Sequence, residues 1–166
     1  MPALASGVQG PEIELTALDG RKFSLSAARA RGPVVVAFFK VSCPVCQLAF
    51  PYLERMFKAY SKSGSFTLVG ISQDSAVDTT AFNREYDVTF PVLLDEKGTY
   101  PVSNAYGLTN VPTVFVITPQ GGIESTTVGW SKSEMAELNR KLATLSNAGP
   151  AQIFYPRDNV PDFKPG

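Results

Sequence analysis

Apolar positions along the chain fall into compact runs separated by polar, glycine- and proline-rich stretches. Val34 to Phe39 is an unbroken apolar run, mostly β-branched or aromatic, the pattern of a central strand covered on both faces. Phe66 to Ile71 and Val114 to Ile117 repeat that pattern. Between the first two runs, Leu48, Leu53, Met56, Phe57 and Tyr60 recur at helical spacing until Ser63-Gly64. The succession predicts a parallel β-α-β unit with a right-handed crossover. Upstream, Glu12 to Leu18 and Lys22 to Leu25 flank Asp19-Gly20, a hairpin signal. A short helix over Ala27 to Ala30, begun by Ser26, follows. Downstream, the spacing predicts a helix over Ala76 to Tyr86, an extended piece at Phe90 to Leu94 and a marginal helix over Tyr100 to Tyr106. Pro119 to Gly122 turns the chain, so Ile123 to Val128 pairs back as a strand.

The last helix is capped by Ser131 or Ser133 and has Met135, Leu138, Leu142 and Leu145 on one face, with Glu137 and Lys141 at ion-pair spacing. From Asn147 to Gly166 there are four prolines and no period, which predicts an irregular tail anchored by Ile153, Phe154, Tyr155 and Phe163. The expected organisation is one domain over residues 1–147 and a proline-rich C-terminal tail over 148–166. Alternating strands and helices with a late antiparallel element predict an α/β architecture.

Composition narrows the function. At 166 residues the chain has the length of one domain with a self-sufficient core. Lys+Arg and Asp+Glu both number 15, so there is no basic field for nucleic acid or an anionic membrane. The longest apolar run is too short to span a bilayer, so no membrane insertion is expected. Met1 to Gly10 has no basic segment followed by an apolar core, which favours a cytoplasmic location over an exported form whose leader has been removed. There is no histidine and there are two cysteines. That shortage removes Ser-His-Asp and Cys-His catalysis, a four-ligand zinc site and imidazole-bound haem, copper or iron. No metal and no cofactor are expected. The cysteine pair is the remaining nucleophile.

Both cysteines lie in Cys43-Pro44-Val45-Cys46, at the junction of a buried strand and a helix. Residues three apart in a first helical turn are close enough for a reversible disulfide. Cys43 at the helix N-terminus faces unpaired amide groups and the positive end of the dipole, which stabilise a thiolate. Cys46, one turn inside, is expected to be more buried and to resolve the mixed disulfide. The competing readings are a structural staple, a zinc half-site or two inert thiols. A staple closing so short a loop removes little unfolded-state entropy, and C-x-x-C in a β-α-β context reads as redox-active.

From Gly7 to Leu145 the chain resembles the thioredoxin superfamily, specifically the redoxin branch of TlpA/ResA-like thiol-disulfide oxidoreductases and AhpC/TSA proteins. Gly10-Pro11, Asp19-Gly20 and Phe23-Ser24-Leu25 resemble the redoxin N-terminal extension, and Val34 to Phe39 with Cys43 to Cys46 resembles the first core strand and active site. Pro51 matches the proline inside the active-site helix. Residues 72 to 107, including Phe90 to Asp95, resemble the branch's helix–strand insertion, and Gly121-Gly122 with Val128-Gly129-Trp130 resembles the closing hairpin. The resemblance implies a thioredoxin-like three-layer α/β/α sandwich with a mixed central sheet, a redoxin-type N-terminal hairpin and that insertion. Val111-Pro112-Thr113 resembles the family's cis-proline loop, which presents backbone groups to an extended substrate. Pro44, Val45, Val111 and Pro112 are therefore the implied substrate-contacting residues beside catalytic Cys43 and Cys46. The implied activity is dithiol–disulfide exchange with a disulfide-containing protein or a small thiol or disulfide, with a thioredoxin or other reductant as a further partner.

The departures bear on proton transfer. Ser42 stands where relatives usually have tryptophan, Ala37 replaces the buried acid six residues before the first cysteine, and Ala49 replaces the acid three residues after the second. Glu54 is then a base candidate by elimination, against the reading of a solvated carboxylate or one paired to Lys58. Lys40 could add positive potential near Cys43, though a solvated strand end is the simpler reading, and Trp130, Tyr52, Phe50 and Phe57 read as packing. A peroxiredoxin-like thiol peroxidase is the alternative function. Its P-x-x-x-T/S-x-x-C pattern fails in both registers: Val36 and Lys40 precede Cys43, and Phe39 and Cys43 precede Cys46. No one of Arg55, Arg84 and Arg140 is singled out to polarise a peroxide. A non-enzymatic redox-sensing module on the same fold is the third reading.

Overall fold

In the computed structural model, which describes residues 2–166, the run Val34–Phe39 forms strand β3 and every residue of it is buried. Its alternating side chains build two cores. Val35, Ala37 and Phe39 face helix α2 (Pro44–Tyr60), helix α3 (Ala76–Glu85) and helix α5 (Lys132–Leu145), whereas Val34, Val36 and Phe38 face helix α1 (Leu25–Arg29) and helix α4 (Pro101–Ala105). Covering both faces is what lets the strand be apolar throughout, and each large side chain so buried contributes about 1.5–3 kcal/mol.

The sheet has seven strands in the order β2-β1-β5-β4-β3-β6-β7, with β1 at Glu14–Ala17, β2 at Lys22–Ser24, β4 at Thr67–Ser72, β5 at Val92–Leu94, β6 at Thr113–Ile117 and β7 at Ile123–Val128. Strands β3, β4 and β5 run parallel, and β6, β7 and β1 join antiparallel to their neighbours. This is the expected three-layer sandwich around a mixed sheet. The N-terminal hairpin pairs Leu15 with Phe23 and docks on the edge of β5, so the hairpin and the 72–107 insertion complete one side of the sheet together.

Local capping sets the boundaries. Ser24, not Ser26, caps α1, its hydroxyl accepting from the Ala27 amide. Cys43 caps α2, so Pro44 to Cys46 form the helix's first turn, as the spacing of the two cysteines implied. Ser131 caps α5 and accepts from Glu134 N–H. Lys141 pairs with Glu124 on the neighbouring strand rather than with Glu137 on its own helix.

The tail is more ordered than its prolines suggested. A 3-10 turn at Pro156–Asp158 leads to a two-residue strand β9 (Phe163–Lys164) that pairs antiparallel with β8 (Trp130–Ser131). Periodicity could not reveal a strand that short. Ile153 is buried, Phe154 stacks on Tyr52 with ring centroids 5.0 Å apart, and the Trp130 indole N–H donates to Pro161 O at 2.6 Å. Tyr155 lies beside the Arg55 guanidinium, whereas Phe163 remains 59% exposed and anchors through its backbone. The Arg55 guanidinium also meets Asp158 at 2.8 Å and holds its carboxyl down at about 2.

Tyr60 ties three elements together. Its hydroxyl donates to Asn139 Oδ1 on α5 at 2.7 Å and accepts from the Ala151 amide of the tail at 2.7 Å. Tyr60→Phe leaves both partners unsatisfied. It should lower stability by about 1–3 kcal/mol, read as a lower urea midpoint with unchanged slope; an unchanged midpoint would show that the network carries no load.

Candidate active site

The parallel β3–β4 pair delivers the chain to one end of the sheet, where Lys40 to Ser42 turns it into α2. Cys43 occupies the N-cap, and its backbone N–H donates to Lys40 O at 3.2 Å. Its Sγ accepts from the Cys46 amide at 3.2 Å and donates to Val111 O at 3.3 Å. Both cysteines are free thiols; Cys43 is partly exposed and Cys46 is fully buried. The structure thus brings Cys43, Cys46 and Val111 together directly, with Pro44 exposed and Val45 half-buried in the first turn between the sulfurs. The Val111–Pro112 peptide is cis, and Pro112 O accepts from Gly129 N–H at 2.8 Å, which fixes the loop against β8.

Burial pushes the Cys46 thiol well above its ordinary value, and its hydrogen bond to Cys43 and the negative charge of Asp74 add to the rise. Cys46 therefore rests as a neutral thiol. Behind it, Phe39 and Phe50 stack with centroids 4.3 Å apart and close the floor with Phe82 and Phe90. Ala37 and Ala49 are buried and supply no carboxylate.

Glu54 is not solvated. It is buried in α2 and accepts from the Thr89 amide at 2.8 Å, the Phe90 amide at 3.3 Å and the Thr89 hydroxyl, with Lys58 looser at 3.9 Å. Its three hydrogen bonds all go to the loop entering β5, which it holds in place. Trp130 is fully buried against Tyr52 and Phe154, as packing requires, and Phe50 and Tyr52 are core residues with Phe57 at the rim.

Asp74 is the acid that sequence reasoning missed. It follows β4, and its Oδ2 accepts the Val41 N–H at 2.8 Å while Gln47 Nε2 donates to the Val41 carbonyl at 2.9 Å. Val41, two residues before Cys43, is thereby gripped at both its main-chain N–H and its carbonyl. The available signal was the Ser72-Gln73-Asp74-Ser75 run at the C-terminal end of a buried parallel strand, where sites of open α/β sheets collect.

The tail also reaches this end of the molecule. Gly166 lies so close to the cis-proline loop that a Cβ there would sit 2.6 Å from Val111 O, and a Cβ on Gly129 would meet Lys164 O at 2.3 Å. The far flank of Val111 borders a hollow of about 230 Å³ lined by Lys40, Gln73, Tyr100, Asn104, Thr109 and Asn110 among others, none of them from the tail. Among the described residues no group of three metal-ligating side chains converges, and no helix is long and apolar enough to cross a membrane.

Residues 6–126 match the model of the AhpC/TSA family. The chain is 30% identical over 137 residues to the thioredoxin-like protein YneN of Bacillus subtilis, covering 81% of this chain and 78% of that protein. It is 29% identical to the thiol-disulfide oxidoreductase ResA of Geobacillus thermodenitrificans, over 80% of this chain and 74% of that one. Among solved structures, the thioredoxin domain of a thiol-disulfide oxidoreductase from Bacteroides vulgatus superposes with a TM-score of 0.73 at 25% identity, covering 84% of this chain and 98% of that one.

Because the Asp74 charge helps hold Cys46 protonated, Asp74→Asn keeps an acceptor for Val41 while removing that charge. The Cys46 thiol should ionise slightly more readily, and resolution of a Cys43-linked mixed disulfide should run modestly faster, by up to about twofold near neutral pH. In the parent protein the same step should rise about tenfold per pH unit, the slope of a thiol titrating far above the assay range. Stopped-flow release of a chromogenic thiol checks both; a flat profile, or slower release in Asp74→Asn, contradicts the account.

Proposed function

The chain belongs to the AhpC/TSA family, in the redoxin branch of the thioredoxin superfamily, and we propose that it catalyses thiol–disulfide exchange by cycling Cys43 and Cys46 between dithiol and disulfide. One observation carries this reading: an accessible sulfur at a helix N-cap, met by an amide donor, with a second, buried sulfur one turn behind it. The relatives named as thiol-disulfide oxidoreductases support it.

In the reducing direction Cys43 gives its proton to solvent, and the resulting thiolate attacks one sulfur of a substrate disulfide. The Cys43–substrate S–S bond forms, the substrate S–S bond breaks, and the departing thiolate takes a proton. The Cys46 amide is placed to meet the charge that develops on Cys43 sulfur. Cys46 then loses its proton and attacks Cys43, which forms the intramolecular disulfide and releases the second substrate thiol. Val111 O meets the attacking sulfur with Pro112 next in the same loop, and exposed Pro44 with half-buried Val45 forms the turn over which substrate passes. With alanine at positions 37 and 49, the Cys46 proton leaves through water or backbone groups. A disulfide-bearing protein or small disulfide is the substrate, and a thioredoxin or comparable dithiol returns the electrons.

The peroxidase reading has less support. Arg55, the arginine nearest the cysteines along α2, is engaged by Ile153 O and Asp158, while Arg84 and Arg140 are exposed on α3 and α5. In an insulin-reduction assay driven by dithiothreitol, Cys43→Ser should abolish catalysis, whereas Cys46→Ser should accumulate a mixed disulfide detectable by mass. Equal rates for the parent and Cys43→Ser would sink the proposal. Rapid hydrogen-peroxide consumption coupled to a thioredoxin system would instead favour the peroxidase.

A further inference from the structure

The hollow beside Val111 has an uneven electrostatic lining. Of the residues around its roughly 230 Å³, Lys40 is the one charged side chain, and the rest of the polar lining is amide, hydroxyl or phenol: Gln73, Asn104, Asn110, Thr109 and Tyr100. Lys40 is exposed and forms no ion pair among the described residues. The nearest acids are committed elsewhere. Asp95, behind the wall, accepts from the Val102 and Ser103 amides and the Ser103 hydroxyl, and Ser103 in turn receives the Gln73 amide. Asp74 accepts the Val41 N–H and opens onto a separate hollow with Glu14, Ser75 and Glu96. The hollow shares Val111 with the reactive sulfur, and Lys40 lies three residues before that sulfur. The tail abuts Val111 but lines none of it.

We propose that this hollow is a substrate subsite that receives a carboxylate carried close to the scissile disulfide, with Lys40 as its counter-charge and, as neutral donors, the Asn110 amide and the Asn104 N–H that is not taken by Thr99 O. The inference rests on the thiol–disulfide exchange reading and deepens it by naming the substrate class. When Cys43 attacks, the new Cys43–substrate S–S bond holds one half of the substrate at Val111, and a carboxylate carried on that half can reach the mouth of the hollow. The departing half leaves as a thiol after taking a proton. Charge selects the disulfide, and the covalent chemistry stays with Cys43 and Cys46.

Three small disulfides of matched length separate this from any effect of Lys40 on Cys43 itself: dithiodipropionate (anionic), hydroxyethyl disulfide (neutral) and cystamine (cationic). The reduced protein is mixed with each, quenched and alkylated, and the oxidised fraction is followed by mass. The parent should prefer the anion over the cation. Lys40→Glu should reverse that order, moving the anion-to-neutral rate ratio by roughly tenfold and the cation-to-neutral ratio oppositely. Asn104→Asp, which places a charge in the hollow without touching Lys40, should shift the ratios in the same sense, and Lys62→Glu at the far end of α2 should leave them unchanged. The preference should fade above about 0.5 M salt.

A second arm compares cystine peptides with Glu or Gln beside the cysteine. A Lys40-dependent Glu preference there, without one among the small disulfides, assigns the carboxylate to a peptide; a preference in both admits small acidic thiols as well. Ratios unaffected by Lys40→Glu and Asn104→Asp in both arms overturn the subsite. Failure to react with any disulfide overturns the exchange reading itself.

Discussion

Everything at the candidate site depends on the complete burial of β3. Because both faces of Val34–Phe39 are covered and both edges are paired, a slip in register would exchange the side chains of the two cores and carry Pro33 or Lys40 into the buried span. Its C-terminal end is therefore a fixed point. Four residues after Phe39 the chain reaches the N-cap of α2, and the residue that arrives there is Cys43. The clamp on Val41 by Asp74 and Gln47 removes what freedom the connecting turn retains. The opposite wall is fixed in the same way: β6 pairs with β3 from Thr113 onward, which brings Val111 and Pro112 against the cysteines.

From that constraint follow the different roles of the two sulfurs. Cys43 lies at the boundary of the core, partly exposed and facing amides; Cys46 lies one turn inside it, against Phe39 and Phe50, where burial keeps the thiol neutral. The same aromatic floor that stabilises the fold thus keeps the second sulfur protonated, as the proposed resolving role requires. The tail adds a further boundary. By pairing β9 with β8 and packing Phe154 and Tyr155 on α2, it carries Gly166 to the edge of Val111, while the Lys40 hollow lies clear of it.

Much of this was legible in the sequence because the signals were local and redundant. Val34 to Phe39 is apolar throughout for a reason that periodicity detects, and Cys43-Pro44-Val45-Cys46 carries its chemistry in its spacing. What was not legible depends on which distant groups meet. Glu54 looked like an exposed helix carboxylate, and only the Thr89–Phe90 loop, 35 residues on, shows why it is buried. Asp74 stood out only by its place in a polar run at the end of a buried strand, since its contact is a hydrogen bond to a backbone amide 33 residues earlier. Lys141 found Glu124 across an element boundary instead of Glu137 one turn away, a choice that helix spacing does not encode. The two-residue strand β9 is shorter than any period.

The central claim is that Cys43 and Cys46 form one reversible two-electron couple. A redox titration of the intact protein against graded dithiothreitol buffers, with alkylation and mass measurement at each point, tests it most directly. The account predicts a single Nernst transition with two electrons per molecule, an oxidised species lighter by two hydrogens and linked Cys43 to Cys46, and a midpoint between about −270 and −120 mV, the range from reducing to oxidising thioredoxin-fold proteins. Two thiols that stay independently alkylatable across the whole range would contradict it.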